Sequence, residues 1–172
     1  RNLYRKQARF YDFAAWSYRL IGLREKKYRQ HTAAALSPRP GDTVIDLGCG
    51  TGLNFQFLQP LITSEGKIIG VDLTDAMLDV AHKRIQSAGW NNVELVQADM
   101  VEYEFPAGIA GVLSTFAISL VPQFDQVIHR GAAALQQGGR LAILDIKTPP
   151  FWPLWLAKLT AWVNRPFGVT LE

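Results

Sequence analysis

The chain is organised around nine residues, Val44-Ile45-Asp46-Leu47-Gly48-Cys49-Gly50-Thr51-Gly52. The apolar residues at the start of this stretch predict a short buried strand, and the alternating glycines predict a tight turn that opens a helix. Glycine permits a positive φ and lets a ligand lie directly against the backbone. Because a helix start also offers free N–H groups, the stretch predicts a ligand site that suits a carboxylate or a phosphate.

The spacing of the glycines distinguishes this turn from a dinucleotide-binding loop, which reads G-x-G-x-x-G. Gly48 and Gly50 fit that pattern, but its third glycine position falls on Leu53, and Gly52 comes one residue early. Asp46 lies just before the turn, where its charge would repel a pyrophosphate and attract an ammonium or a sulfonium. The stretch therefore favours a zwitterionic amino-acid nucleotide over NAD.

Strands and helices alternate after this turn. The pattern predicts five strands, at 43–47, 67–73, 93–98, 111–117 and 140–146. It predicts helices at 53–61, 75–87 and 123–135, and a turn at Gly138-Gly139. Strands joined by crossover helices indicate a parallel sheet that is covered on both faces. The predicted fold class is α/β, with a doubly wound, mainly parallel Rossmann-like sheet.

The chain is predicted to have three parts. Residues 1–36 form a helical arm, in which apolar residues recur at helical spacing and a second helix runs through about Ala35. Residues 37–148 form the Rossmann-like core. Residues 149–172 begin at a proline pair that stops the pattern, and continue as an aromatic-rich helix with an incomplete tail.

Composition and charge narrow the class of protein. The chain is 48% hydrophobic and 19% charged, as in ordinary globular proteins, and no apolar run approaches the roughly 18 residues of a spanning helix. Cys49 is the only cysteine and no signal peptide is visible, so we expect a reducing, cytoplasmic location.

The first 30 residues carry nine basic and two acidic side chains, whereas the rest of the chain carries nine basic and thirteen acidic side chains. The basic arm fits equally a solvated helix face or a patch for peripheral membrane contact.

Two further carboxylates end predicted strands. Asp72 lies 20 residues after Gly52, where a carboxylate accepts hydrogen bonds from the hydroxyls of a ribose. Asp99 could accept from an adenine amino group while Met100 packs on the ring. The carboxyl ends of neighbouring parallel strands meet at one crevice, so these motifs predict one shared site.

With these motifs in order, the chain resembles the class I S-adenosylmethionine-dependent methyltransferases over about residues 40–146. The resemblance implies S-adenosylmethionine as cofactor and S-adenosylhomocysteine as its product. It implies that the methionine part is held by Asp46, Gly48, Cys49, Gly50, Thr51 and Gly52. It also implies that Asp72 binds the ribose, that Asp99 and Met100 bind the adenine, and that Thr115 and Phe116 border the methyl group. Leu73 and Met77 complete the set of cofactor-binding residues.

Within that superfamily, the chain is similar to the group of quinone-pathway C-methyltransferases and bacterial phosphatidylethanolamine N-methyltransferases. The residues behind this similarity are Tyr11-Asp12, Gly70-Val71-Asp72-Leu73-Thr74 with Met77-Leu78, and Leu135 before Gly138-Gly139-Arg140. The chain departs from the group at Gln136-Gln137, and the last two strands of the family have no counterpart. The group implies a small or amphiphilic acceptor, either a phospholipid head group or a quinone precursor. A soluble metabolite as acceptor, or a non-catalytic cofactor-binding module, are the alternatives.

A carbon or amine acceptor must also lose a proton, and the candidates for the base are Tyr11, Asp12 and His129. No metal site is predicted, because the chain has one cysteine and its histidines are scattered over three helices. The acidic body argues against nucleic acid, as does the sequence Thr115-Phe116-Ala117-Ile118, which replaces the Asn/Asp-Pro-Pro-aromatic tetrad of nucleic-acid methyltransferases.

Overall fold

The structure is a computed structural model, and it describes residues 24–145. Five strands of this part form one parallel sheet: β1 (Thr43–Leu47), β2 (Lys67–Asp72), β3 (Val93–Gln97), β4 (Ile109–Thr115) and β5 (Leu135–Leu144). Four helices connect or flank them: α1 (Glu25–Ala35), α2 (Phe55–Ile62), α3 (Asp75–Ala88) and α4 (Phe124–Ala133). A short 3-10 turn lies at Ile118–Leu120.

The strand order β3-β2-β1-β4-β5 places β1 at the centre, and the order reverses between β1 and β4. In open parallel sheets, ligands bind at such a switch point, outside the carboxyl ends of the strands. The glycine turn after β1 and the ends of β2 and β4 all lie there. The predicted α/β, doubly wound parallel sheet is confirmed.

Two apolar clusters hold the helices against the two faces of the sheet. One cluster joins Val44 to α1, α2 and α3 through side chains that include Leu36, Phe55 and Ala81. The other joins Ile45 and its neighbours on the opposite face to Val127 of α4. Because successive strand residues point to opposite faces, the apolar run of β1 contributes side chains to both clusters.

Element boundaries agree with the prediction to within about two residues, with one clear exception. The turn predicted at Gly138-Gly139 is instead a bulge within β5. Ile109 pairs with Leu135 and Gly111 pairs with Arg140, so residues 136–139 stand opposite a single residue of β4. Gly138 accommodates the bulge with a φ of +81°. The paired glycines thus interrupt strand pairing without ending the strand.

Several predictions concern residues outside the described range. They are the first helix of the arm, the aromatic-rich helix at 151–163, and the candidate bases Tyr11 and Asp12. Among residues 24–145, no helix is long and apolar enough to cross a membrane.

Candidate functional site

The turn after β1 forms an open cradle of backbone. Gly48, Gly50 and Gly52 adopt positive φ values of +71°, +54° and +76°. The N–H groups of Gly48 and Cys49 donate to the carbonyl of Val71, at 2.8 and 2.9 Å, which fastens the turn to β2. A Cβ on Gly50 would meet nothing within 4 Å, so the middle of the turn faces open space. The turn can therefore receive a ligand against its backbone.

Asp46 is fully buried at the end of β1. Its Oδ1 accepts a hydrogen bond of 2.8 Å from Nδ2 of Asn54, whereas its buried Oδ2 has no partner. Burial raises the pKa of Asp46 to about 7, although the Asn54 hydrogen bond and the charge of Arg29 act in the opposite direction. The nearby charge of Asp72 adds to the rise. A buried carboxylate oxygen without a partner calls for a donor, and a cationic ligand group would supply one.

Asp72 ends β2 beside the turn, and both of its oxygens bind backbone. Oδ2 accepts from the N–H of Gly50 at 2.8 Å, and Oδ1 accepts from the N–H of Thr74 at 2.9 Å. Burial raises its pKa, although these hydrogen bonds act in the opposite direction. Each carboxylate oxygen has a second lone pair, so a ribose hydroxyl can still donate to it. Asp72 thus shapes the cradle as well as facing the crevice.

The end of β3 contributes Asp99 and Met100. Asp99 Oδ1 accepts from the N–H of Val101 at 2.9 Å, which closes an Asx turn. Met100 lies against the glycine turn, because its Cε would be only 3.3 Å from a Cβ placed on Gly48. The two residues therefore border the same crevice as Asp46 and remain candidates for the adenine end of a ligand.

The end of β4 is conformationally strained at Phe116. Its φ is +56°, a value that residues with a side chain seldom adopt, and its N–H donates to the carbonyl of Leu144 at 2.7 Å. Thr115 is buried beside it, at 3% exposed. Such strain persists where surrounding contacts enforce it, and it is common at ligand sites.

Three other predicted cofactor residues lie inside the protein. Cys49, Thr51 and Met77 are all buried. Burial and, to a smaller degree, the charges of Asp46 and Asp72 raise the pKa of the Cys49 thiol well above its usual range. A neutral thiol is a poor nucleophile, so Cys49 fills space in the turn.

Two predicted residues are more exposed. Leu73 follows Asp72 and is 43% exposed, so its side chain is open to a ligand. His129 lies on the exposed side of α4, where its Nδ1 hydrogen-bonds the carbonyl of Asp125 in the same helix, at 2.9 Å. The hydrogen bond of His129 within residues 24–145 stays inside its own helix and does not reach the crevice.

Two buried residues that the sequence patterns did not indicate, Arg29 and Asn54, connect the predicted residues. Arg29 is 5% exposed and Asn54 is 1% exposed, and both bind Thr115. A sequence signal existed for Arg29, because it lies four residues before Ala33 on the buried face of α1. Asn54 precedes α2 at the N-cap position but makes no side-chain cap bond, because its amide turns to Asp46 instead.

Replacing Asp72 with alanine is expected to weaken binding of an adenosine-containing ligand by about 1.5–3 kcal/mol, because charged acceptors for the ribose are lost and the Gly50 anchor is released. Asparagine should do less damage, since one acceptor oxygen survives. Calorimetry with S-adenosylhomocysteine measures both losses. The exposed acid Asp79 on α3 offers a matched control, and Asp79→Ala should bind as the unaltered protein does. A loss of only a few tenths of a kcal/mol in Asp72→Ala would make Asp72 purely structural.

The residues of this crevice lie in a segment that matches a known protein family. The model of a methyltransferase domain family matches residues 44–139, which run from β1 into the bulge of β5. The matched segment includes the glycine turn and the ends of β2, β3 and β4.

Two relatives carry quinone-related names. The chain is 30% identical over 145 residues to a demethylmenaquinone methyltransferase of Listeria welshimeri, and the match covers 83% of this chain and 61% of the relative. It is 30% identical over 129 residues to a ubiquinone/menaquinone biosynthesis C-methyltransferase of Vibrio vulnificus, covering 74% of this chain and 50% of that protein. The chain therefore spans only about half to three-fifths of the length of these relatives.

The fold is also found in solved structures. The YcgJ protein of Bacillus subtilis superposes with a TM-score of 0.67 at 23% identity, over 81% of this chain and 58% of that one. At this identity the likeness concerns the fold, and it agrees with the Rossmann-like sheet described above.

Proposed function

This chain belongs to the methyltransferase domain family, and we propose that it transfers a methyl group from S-adenosylmethionine to a carbon atom of a quinone precursor. The observation that carries the proposal is the combination of an unpartnered, buried Asp46 Oδ2 with the open glycine cradle beside it. S-adenosylmethionine carries an ammonium and a sulfonium, and an anionic, backbone-lined site suits both.

The residues of the crevice fit the cofactor of this family. Asp46 and the glycine turn would hold the methionine part, and Asp72 the ribose. Asp99 and Met100 would border the adenine. When bound, S-adenosylmethionine supplies a methyl group that is already activated by the positive charge on sulfur. NAD fits less well, since the carboxylate before the turn would repel its pyrophosphate.

The chain's own residues then have to orient the reactants and exclude water. Thr115 and Phe116 would border the methyl group, and the buried network behind them leaves them little freedom. Orientation of this kind can contribute roughly 7–11 kcal/mol to lowering a barrier. Methyl transfer from an activated donor needs no metal for this purpose, so alignment is the main task of the protein.

The acceptor is proposed from the relatives, because both carry the names of enzymes that methylate quinone precursors. An aromatic, prenylated acceptor also agrees with the basic arm, which could meet anionic lipid at about 1 kcal/mol per basic residue near the surface. A carbon acceptor loses a proton after methylation. His129 lies on the exposed side of α4, and its described hydrogen bond is to Asp125 of the same helix rather than to the crevice. Tyr11 and Asp12, which belong to the arm outside the described residues, are therefore the candidates to test first.

Incubation of the full chain with methyl-labelled S-adenosylmethionine tests the proposal. Demethylated quinone precursors, lipid extract and tRNA are offered in parallel. We expect label in the quinone fraction, and S-adenosylhomocysteine should inhibit the transfer. Exposed Lys83 on α3 provides a control variant, Lys83→Gln, which should retain full transfer. Label in the phospholipid or tRNA fraction instead of the quinone fraction would show that the proposed acceptor is wrong. Tighter binding of NAD than of S-adenosylmethionine would show that the proposed cofactor is wrong.

A further inference from the structure

Arg29 reaches the crevice from α1, outside every motif that the family match covers. Its Nε donates to Glu25 Oε1 at 2.7 Å, and its Nη1 donates to Asn54 Oδ1 at 3.0 Å and to Thr115 Oγ1 at 2.5 Å. Its guanidinium carbon also lies 4.9 Å from the ring centroid of Phe116. One buried side chain thus contacts the end of β4 and the start of α2.

The donors and acceptors around Arg29 allow only one arrangement. A guanidinium has no acceptor, so the side-chain oxygen of Asn54 must face Arg29. The amide nitrogen of Asn54 must then face the other way, where it donates to Asp46 Oδ1 at 2.8 Å and to Thr115 Oγ1 at 2.9 Å. An ionised Asp46, in turn, is only an acceptor, so Arg29 and Asp46 together hold the Asn54 amide in this orientation. Without Arg29, the buried side-chain oxygen of Asn54 would lose its donor.

Within the part of the chain that the structure describes, two charged side chains act on the pKa of Asp46. Arg29 on α1 is attractive, whereas Asp72 on β2 is repulsive. Cys49 in the turn faces it as a buried, neutral thiol. Glu25 pairs with Arg29 and has 17% of its side chain exposed, so it offsets part of the positive charge. Among these groups, Arg29 is the source of positive charge that opposes the effect of burial on Asp46.

We propose that Arg29 is a positioning residue of the cofactor site, which orients Asn54 and Thr115 against Asp46 and supplies the charge that balances this buried carboxylate. Arg29 thereby keeps Asp46 ready to accept a cationic group. The proposal rests on the proposed function for the identity of that ligand, but the network itself exists without it.

A double-mutant cycle on the ligand-free chain tests the network independently of any ligand. Arg29→Met removes the charge and the donors but keeps much of the volume. At pH 8, where Asp46 is mostly ionised, it should reduce the folding equilibrium constant strongly. In the Asp46→Asn background the same substitution should have an effect at least about threefold smaller, because the charge it balanced is gone. Equal effects in both backgrounds would overturn the proposal, whatever the protein binds.

Binding of S-adenosylhomocysteine, measured by calorimetry from pH 6 to pH 9, tests the consequence for the ligand. We expect affinity to increase as pH rises through about 7, where Asp46 ionises. In Arg29→Met this increase should move upward by about one pH unit, so that affinity falls about fivefold at pH 7 and is largely recovered at pH 9. A loss of equal size at every pH would indicate a merely structural role and overturn the proposal.

Arg29→Lys keeps the test decisive if the methionine variant folds poorly. Lysine retains the positive charge but cannot reproduce the fork of donors. The pH at which its affinity rises should therefore match that of the unaltered protein, while its affinity is lower at all pH values. If the pH at which affinity rises is as high in Arg29→Lys as in Arg29→Met, the positive charge of Arg29 does not balance Asp46, and the proposal is overturned. If the unaltered protein does not bind S-adenosylhomocysteine, the proposed function fails, and the ligand-free cycle alone decides the role of Arg29.

Discussion

Replacing Gly52 with alanine is expected to lower the free energy of unfolding by about 2–5 kcal/mol. Gly52 has a φ of +76°, which costs a residue with a side chain about 1–2 kcal/mol. The new Cβ would also lie 2.5 Å from Cε2 of Phe55. Phe55 is fully buried and packs edge-on to Trp90, so it cannot move aside without disturbing the core. Overpacking of this kind typically costs a further 1–3 kcal/mol or so.

Gly50→Ala is the matched control, since it makes the same substitution in the same turn. Gly50 also has a positive φ, of +54°, but an added Cβ would meet nothing within 4 Å. We expect a loss of about 1–2 kcal/mol from the backbone alone. Its methyl group would project into the cradle and weaken binding of S-adenosylhomocysteine. Urea unfolding of the two variants measures the difference, and equal losses of stability would show that the contact with Phe55 is relaxed at no cost.

Much of the fold could be predicted because its signals are local. β1 was predicted with the observed bounds, since a short apolar run before a glycine turn has few other interpretations. The carboxylates Asp46, Asp72 and Asp99 were placed by counting residues to the strand ends, and the parallel topology brings those ends together. The bulge in β5 was missed because paired glycines usually indicate a turn, and only the register against β4 reveals otherwise.

The network behind the crevice could not be predicted in the same way. Arg29 and Thr115 are 86 residues apart in the chain, and their contact depends on how α1 packs over the sheet. No spacing rule connects such residues. Arg29 also belongs to a strongly basic stretch, whose plain interpretation is a solvated helix face. Its position on the buried face of α1 was the available signal, and it was hidden by the charge around it.

Asp46→Asn is expected to strengthen the ligand-free fold while it weakens cofactor binding. Burial raises the pKa of Asp46 from 3.8 to about 7. The unfolded chain therefore releases this proton at lower pH than the folded protein does, and the stability associated with Asp46 is lost as pH rises from about 4 through about 7. A difference of this size corresponds to about 4 kcal/mol at most. Asparagine avoids that cost but leaves a buried amide without an acceptor, at about 1–3 kcal/mol, so the net gain at pH 8 is about 1–3 kcal/mol at most.

Urea unfolding at a series of pH values measures the difference in stability. Asp46→Asn should be less stable than the unaltered protein near pH 4, where the cost of the buried amide dominates, and more stable above pH 7. The control Asp79→Asn, which alters an exposed acid on α3, should show no such dependence. Calorimetry should show S-adenosylmethionine bound at least about 2 kcal/mol more weakly by Asp46→Asn, because a charged acceptor is replaced by a neutral one. A variant that is less stable than the unaltered protein at pH 8 and binds equally well would contradict the role of Asp46. The expected result is a variant that is more stable at pH 8 and binds more weakly. It would mean that the buried, unpartnered carboxylate oxygen of Asp46 lowers the stability of the ligand-free protein and gains its partner only when the ligand binds.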